Sequence, residues 1–225
     1  IGIAQFDNKT QTNQGITQYL SESYQINLVD MSSPVPEDIS MMIVNGVNDS
    51  IGVDEYNNLD NFIRDGGNML VTQAGVDVSL NQQHQFFAGQ DIKSNIFDIL
   101  NAHGVNIQNN LLLDKNNGKI NIPQRVAFFQ TWATHDYPFF PTITSFGDSI
   151  IVNKLENIQF HFCSEIVIDS LARNVVPIMF TSQYSGTMTG FYNLFPNTEK
   201  SSNPILNNLN EGVKILGVIV DTGYQ

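Results

Sequence analysis

The first candidate chemistry is that of a nucleophile on a tight turn between a strand and a helix. In enzymes of this type the turn presents a Ser or a Cys, and amides at the helix terminus stabilise the oxyanion. The equivalent turn here follows an apolar strand predicted at Met69–Thr72 and consists of Gln73, Ala74, Gly75 and Val76. None of these four residues is a Ser or a Cys. The sequence therefore predicts no nucleophile at this turn.

A second candidate is the only cysteine, Cys163, which lies between His161 and Glu165. On a strand, the alternation of side chains would place these three residues on one face, with the residue types of a Cys-His-Glu triad. However, neighbours on one strand face point in parallel, whereas the members of a triad must converge on a single substrate atom. We therefore predict that Cys163 is a half-buried structural residue on a strand.

Residues that could bind a metal ion are scattered through the sequence. The four His residues form no closely spaced pair, and a single Cys cannot form a Cys pair, so no zinc site is predicted. Asp114–Gly118 has the composition of a calcium loop, but its Gly comes one position early and Arg125 stands in place of the bidentate Glu. No glycine-rich phosphate motif occurs. The sequence thus predicts neither a metal nor a cofactor.

Three polar residues each follow a predicted strand of the N-terminal part: Asp7, Asn45 and Gln73. In open sheets of parallel strands, ligands bind in the crevice at the carboxyl ends of the strands. These side chains are therefore the candidates to line such a crevice. The alternative is that they cap helices and satisfy the amides of the connecting loops.

The elements that would position these residues alternate between strand and helix over the first hundred residues. Apolar runs predict four parallel strands before residue 73, and Tyr56, Leu59, Phe62 and Ile63 form the apolar stripe of a helix that ends at Gly66-Gly67. We predict a single α/β domain over residues 1–225. It would contain a mostly parallel sheet flanked by helices, flavodoxin-like or class I glutamine amidotransferase-like, with a strand-rich C-terminal half. Residues 76–93 are polar and are predicted to form an irregular loop.

A long aromatic segment, Ala127–Phe146, has neither helical nor strand periodicity. Its aromatic side chains either fill the core beneath a long connection or contact a partner, because Trp and Tyr are enriched among the energetically important residues of interfaces. Trp132, Tyr137 and Phe139 are the interface candidates. Both interpretations remain open at the level of sequence.

The net charge of the chain restricts the partners that it can bind. Ten basic and 22 acidic residues give a formal net charge of -12. Because such a surface repels phosphate groups, the sequence predicts no nucleic-acid partner.

The longest apolar run that could be considered as a membrane span, Val213–Val220, is far shorter than the roughly 18 residues that a span requires. The chain begins inside a predicted strand at Ile1, so we expect membrane anchors to lie outside this segment.

Several stretches, in order along the chain, resemble one family. They are Ile39–Val44, Leu59–Gly67 with Asn68–Val71, Leu100–Ile107, Leu111–Asp114, Tyr137–Pro141, Ile150–Leu155, Phe162–Glu165 and Val176–Ser182. The family is the auxiliary component of uncharacterised ABC transport systems, of the gliding-motility type, and its soluble domain is similar to a domain of a ciliary intraflagellar-transport protein. Asp148-Ser149 replaces the His-Pro pair that the family has before Ile150.

The resemblance implies a function without catalysis. It implies an extracytoplasmic (periplasmic) domain, anchored to the cytoplasmic membrane, that binds or scaffolds a transporter containing a permease and an ATPase. It also implies an amidotransferase-like sheet without the catalytic nucleophile. The alternative is an amidotransferase-like or hydrolase-like enzyme that uses an unrecognised site.

Overall fold

The computed structural model describes residues 1–7, 13–81, 86–126, 129–192, 194 and 209–223. The helices are α1 (Gln14–Ser21), α2 (Val53–Arg64) and α3 (Ile96–Ala102). The strands are β1 (Gly2–Gln5), β2 (Asn27–Asp30), β3 (Met41–Asn45), β4 (Asn68–Thr72), β5 (Val76–Asn81), β6 (Phe86–Asp91), β7 (Val105–Ile107), β8 (Leu111–Asp114), β9 (Asn117–Val126), β10 (Phe129–Ile143), β11 (Ser145–Phe146), β12 (Ile158–Gln159), β13 (Ile166–Ile168), β14 (Val175–Phe180), β15 (Ser185–Met188) and β16 (Ile215–Val220).

The N-terminal part is a four-stranded parallel sheet in the order β2-β1-β3-β4. This confirms the four parallel strands that the apolar runs predict before residue 73. Helix α2 buries Leu59, Phe62 and Ile63, and a single hydrophobic cluster joins these side chains to β1, β3 and α3. Gly66 follows the helix with a φ of 87°, a conformation that glycine adopts without steric cost. The predicted helix and its glycine terminus are therefore confirmed.

The predicted fold class is wrong for the chain as a whole. Every described pairing between strands after Thr72 is antiparallel, and these strands form several small sheets instead of extending one parallel sheet. Strands are far more numerous than helices among the described residues. The architecture is therefore not flavodoxin-like or class I glutamine amidotransferase-like. The physical reason is that each further parallel strand would need a crossover helix, and α3 is the only helix among the described residues after Thr72.

Two local predictions also need correction. The predicted irregular loop at residues 76–93 contains the antiparallel pair β5–β6, since Val76 pairs with Asp91 and Val78 with Gly89. The strand predicted through Cys163 is interrupted, because β12 ends at Gln159 and β13 begins at Ile166. Phe162 lies between these strands with a φ of 53°, which no extended strand contains.

Although the sequence shows no strand periodicity there, most of the aromatic segment forms β10, which pairs antiparallel with β9. The end of β10 nearest the body lies in a second hydrophobic cluster with β8 and β15. A five-stranded antiparallel sheet in the order β11-β14-β16-β13-β7 completes the C-terminal part. Strand β16, which covers most of the apolar run Val213–Val220, lies in the middle of this sheet. Within the described residues, no helix combines the length and apolar composition needed to cross a bilayer.

Candidate functional site

The carboxyl ends of β1 and β2 and the N-terminus of α2 surround an open pocket of about 380 Å³. Its lining is acidic and polar, and includes Asp7, Ser32, Asp49, Asp54 and Glu55. The positive end of the α2 dipole partly offsets these carboxylates. The pocket is therefore suited to polar or cationic groups and not to anions. Among the residues described, no cluster of His, Cys, Asp or Glu is arranged to hold a metal ion.

Glu55 is the residue of this pocket that sequence reasoning missed. Its side chain is buried, and its two carboxylate oxygens accept hydrogen bonds from the amide of Asp7 at 2.5 Å and the amide of Gly52 at 2.6 Å. The signal was present, because Glu at the third position of a helix commonly accepts a bond from the amide that precedes the helix. Glu55 thus joins the end of β1 to the start of α2, and its oxygens are already engaged.

The three crevice candidates contact different partners. Asp7 is exposed beside Glu55, whereas Gln73 accepts a bond from the amide of Val47 at 2.7 Å and donates to the carbonyl of Ala74 at 2.8 Å. Asn45 bridges the side chains of Thr72 and Asn13. Gln73 therefore forms hydrogen bonds with backbone groups of the connecting loops, which is the alternative interpretation of these residues.

A short chain of hydrogen bonds lies at the ends of β3 and β4. Thr72 Oγ1 donates to Asn45 Oδ1 at 2.7 Å, and Asn45 Nδ2 donates to Asn13 Oδ1 at 2.9 Å. Asn13 is only 6% exposed, and its Nδ2 has no partner among the described residues. This arrangement positions amide groups but no acid or base, so it fixes the edge of the sheet and supplies no proton-transfer group.

The turn where a nucleophile would lie is held in place by hydrogen bonds and close backbone contacts at Gly75. Strand β5 follows it directly in place of a helix. The amide of Gly75 donates to Ser164 Oγ at 2.8 Å, and Ser164 Oγ donates to the carbonyl of Asn110 at 2.7 Å. A Cβ atom at Gly75 would lie 2.1 Å from the carbonyl oxygen of Gln108, closer than atoms can approach. The turn therefore has no room for a side chain at this position.

The residues of the hypothetical Cys-His-Glu triad contact separate partners. The ring of His161 stacks on Phe140 with centroids 4.1 Å apart, and Glu165 Oε1 lies 3.3 Å from Lys214 Nζ. Cys163 packs beside a hydrophobic cluster. Burial raises the pKa of the Cys163 thiol to about 12, and the carboxylate of Asp114 adds to the effect. Because the thiolate is the nucleophilic form, Cys163 has no reactivity of catalytic strength near neutral pH.

The interface candidates divide into two groups along β10. Tyr137 and Phe139 are buried in the second cluster, where their ring centroids lie 5.2 Å apart. The Tyr137 hydroxyl donates to the carbonyl of Leu194 at 2.7 Å, and burial raises its pKa. Trp132 and Phe129 remain 68% and 74% exposed. The two interpretations of the aromatic segment therefore apply to different residues, the core to Tyr137 and Phe139 and an exposed surface to Trp132.

A comparison with solved structures and a comparison with protein families each found a match. A solved structure described as "mmIFT52 N-terminal domain" is similar over 82% of this chain and 74% of that chain, with a TM-score of 0.52 and 12% sequence identity. At this identity the similarity concerns the fold alone. No curated protein matches the sequence significantly. Residues 1–224 match the family described as "ABC-type uncharacterized transport system". The chain therefore belongs to this family, and its role is associated with ABC-type transport.

Proposed function

We propose that this domain is a non-catalytic, extracytoplasmic part of an ABC transport system of the gliding-motility type, and that it binds and scaffolds the transporter. The observation that carries the proposal is the family match over residues 1–224. The geometry supports it, because Cys163 is held in its thiol form and the turn at Gly75 is filled. The permease is the direct partner, and the ATPase joins the complex through the permease.

A short turn offers a surface for the permease. Ile150 and Ile151 are 89% and 64% exposed, and Leu155 on the same turn is 42% exposed. The turn is held in place from within, since Val152 is buried and its amide donates to the carbonyl of Ser149 at 3.2 Å. We call Ile150, Ile151 and Leu155 the aliphatic turn. Contiguous exposed apolar side chains of this kind mark protein contacts more often than isolated ones do.

Co-purification tests this function. The full-length protein, tagged and extracted from membranes in mild detergent, is expected to recover the permease and the ATPase. Deletion of this domain should abolish the recovery, and Ile150→Ser combined with Ile151→Ser should lower it about tenfold, corresponding to 1.4 kcal/mol of binding. Leu171→Ser is the matched control, because Leu171 is 86% exposed elsewhere in the chain.

The outcomes separate the parts of the proposal. Unchanged recovery after deletion of the domain would refute the scaffolding function, whereas unchanged recovery in the double variant would refute only the aliphatic turn. Location has its own test, since protease added to intact spheroplasts should cleave an extracytoplasmic domain. Protection until the membrane is lysed would contradict that location.

A further inference from the structure

Residues 31–40 connect β2 to β3 without a helix. Both strands run parallel to β1, which lies between them, so the connection must return from the carboxyl end of β2 to the amino end of β3. Pro34 and Pro36 disfavour a helix here, because each lacks an N–H and restricts the residue before it. The side-chain amide of Asn58, on α2, donates to the carbonyl of Met31 at 2.9 Å and holds the start of the connection against the helix.

A groove with a volume of about 380 Å³ lies between this connection and α2, and its walls are mainly apolar. On the side of the connection, Val35 is half-buried against the first hydrophobic cluster and has an exposed proline ring on either side. On the side of the helix, Phe62 is 8% exposed. We call the space between residues 34–37 and the C-terminal half of α2 the proline groove.

The charged residues that line the proline groove are both acidic. Glu37 and Asp65 are exposed, and neither belongs to an ion pair within the described part of the chain. The cation next to Asp65 in the sequence, Arg64, is paired with Asp60 at 2.8 Å. The groove also lies at the C-terminal end of α2, where the helix dipole carries about half a negative charge. The groove therefore attracts a cation, and its walls favour a cation with an apolar stem.

We propose that the proline groove binds an arginine side chain on an extended segment of a partner protein. The inference rests on the groove alone and goes beyond the scaffolding function. An arginine stem packs against apolar surface such as that of Val35 and Phe62, and the planar guanidinium is weakly hydrated and presents its donors to carboxylates on two sides. A lysine ammonium is compact and strongly hydrated, so it gains less from the same walls. The exposed rings of Pro34 and Pro36 offer contacts to the residues on either side of the arginine, which a free cation does not have.

An NMR titration of the 225-residue chain tests this contact. The probe is an acetylated and amidated pentapeptide, Ala-Leu-Arg-Leu-Ala. We expect a dissociation constant on the order of 1 mM, as for a single anchoring side chain, with shifts concentrated at the amides of Val35, Gly66 and Gly67. The same peptide with citrulline, which has the shape of arginine without its charge, should bind about fivefold more weakly or worse.

Variants of the chain test the two carboxylates. Glu37→Gln combined with Asp65→Asn should weaken binding of the arginine peptide about fivefold, the loss expected for two exposed ion pairs. Glu156→Gln combined with Asp148→Asn is the matched control, because these residues are also exposed and the net charge changes equally. The control variant should bind the peptide as the wild type does.

The opposite results would overturn the proposal. Equal binding of the arginine and citrulline peptides would exclude recognition of the charge, and unchanged binding by the groove variant would exclude Glu37 and Asp65. Shifts spread over the whole acidic surface would assign the binding to net charge alone. Argininamide that binds as tightly as the pentapeptide would assign the groove to a free cation instead of a protein segment. The titration needs no permease, so its failure would leave the scaffolding function standing.

Discussion

The carboxylate of Glu55 accepts a hydrogen bond of 2.5 Å from the backbone amide of Asp7, which lies 48 residues earlier in the chain. The same carboxylate accepts the amide of Gly52. Glu55→Ala removes both acceptors and leaves two amides without their partner. We expect a loss of about 1–3 kcal/mol in the free energy of unfolding, measured by urea denaturation. Asp54→Ala, at the exposed neighbouring position, should cost at most about 1 kcal/mol. Equal effects of the two substitutions would contradict the structural role of Glu55.

Cys163 should resist thiol reagents in the folded protein. Since burial raises its pKa to about 12, the thiolate is scarce at pH 8, and labelling should become rapid only after unfolding in urea. Because the folded pKa lies above the ordinary value of 9.0, the unfolded chain ionises first. This group's contribution to stability is therefore complete below about pH 9 and is lost as the pH rises toward 12. Rapid labelling of native protein, with Cys163→Ser as the blank, would count against this environment.

Lys214, directly before β16, forms ion pairs with two acidic residues. Its Nζ lies 3.3 Å from Glu165 Oε1 and 3.3 Å from Glu211 Oε2, and its side chain is only 17% exposed. Lys214→Met should cost about 1–3 kcal/mol, since it leaves two carboxylates without their cation. Arg64→Met breaks the exposed pair with Asp60 and should cost less than about 1 kcal/mol. Chemical denaturation of both variants measures the difference, and a reversed order would refute the assignment.

The cluster of Lys214, Glu165 and Glu211 should make the free energy of unfolding depend on pH in the acidic range. Burial by itself would raise the pKa of Glu211, but hydrogen bonds from Thr187 and Lys214 outweigh it and hold this pKa below 4.5. The stabilising contribution is therefore present above pH 4.5 and is lost as the pH falls through the lowered value. Denaturation curves of wild type and Glu211→Gln from pH 6 to pH 3 should converge as the pH falls. Parallel curves would show that Glu211 does not titrate in this way.

Two aromatic residues of β10 should respond differently to truncation. Phe139 is 1% exposed and Trp132 is 68% exposed. Phe139→Ala should therefore destabilise the domain by about 3–5 kcal/mol, while Trp132→Ala should leave the melting temperature nearly unchanged. Thermal unfolding followed by circular dichroism distinguishes them. A large loss of stability in Trp132→Ala would show that this part of β10 belongs to the cooperative core.

The spacing of apolar residues predicts helices and strands, and it indicates how strands pair only when the paired strands are near in sequence. This is why the prediction was right for the N-terminal sheet. The apolar runs around Ile43 and Leu70 and the helical stripe at Leu59 are local patterns, and the parallel strands follow from them. Pairings across long separations leave no local pattern. Leu112 faces Thr187 across β8 and β15, and nothing near Leu112 in the sequence specifies that partner or its direction.

At the candidate site, the surroundings of a side chain also depend on residues distant in sequence, which local patterns do not predict. The polar composition of residues 76–93 indicated a loop, whereas Val76–Asn81 and Phe86–Asp91 pair as antiparallel strands. The buried state of Glu55 depends on Asp7, which arrives from another strand. The lack of a nucleophile at Gly75, in contrast, was predictable, because it concerns which residues are present and not where they lie.

Strand β16 lies in the middle of the five-stranded sheet, between β14 and β13, although it is the last of the described strands in chain order. The parallel sheet, in contrast, draws all four strands from Gly2 to Thr72. When the chain folds from its N-terminal end, the parallel sheet can therefore assemble early, whereas the antiparallel sheet must wait until Ile215–Val220 is available. Until then the edges of β13 and β14 stay open, and this is the interval in which the nascent chain is most exposed to aggregation.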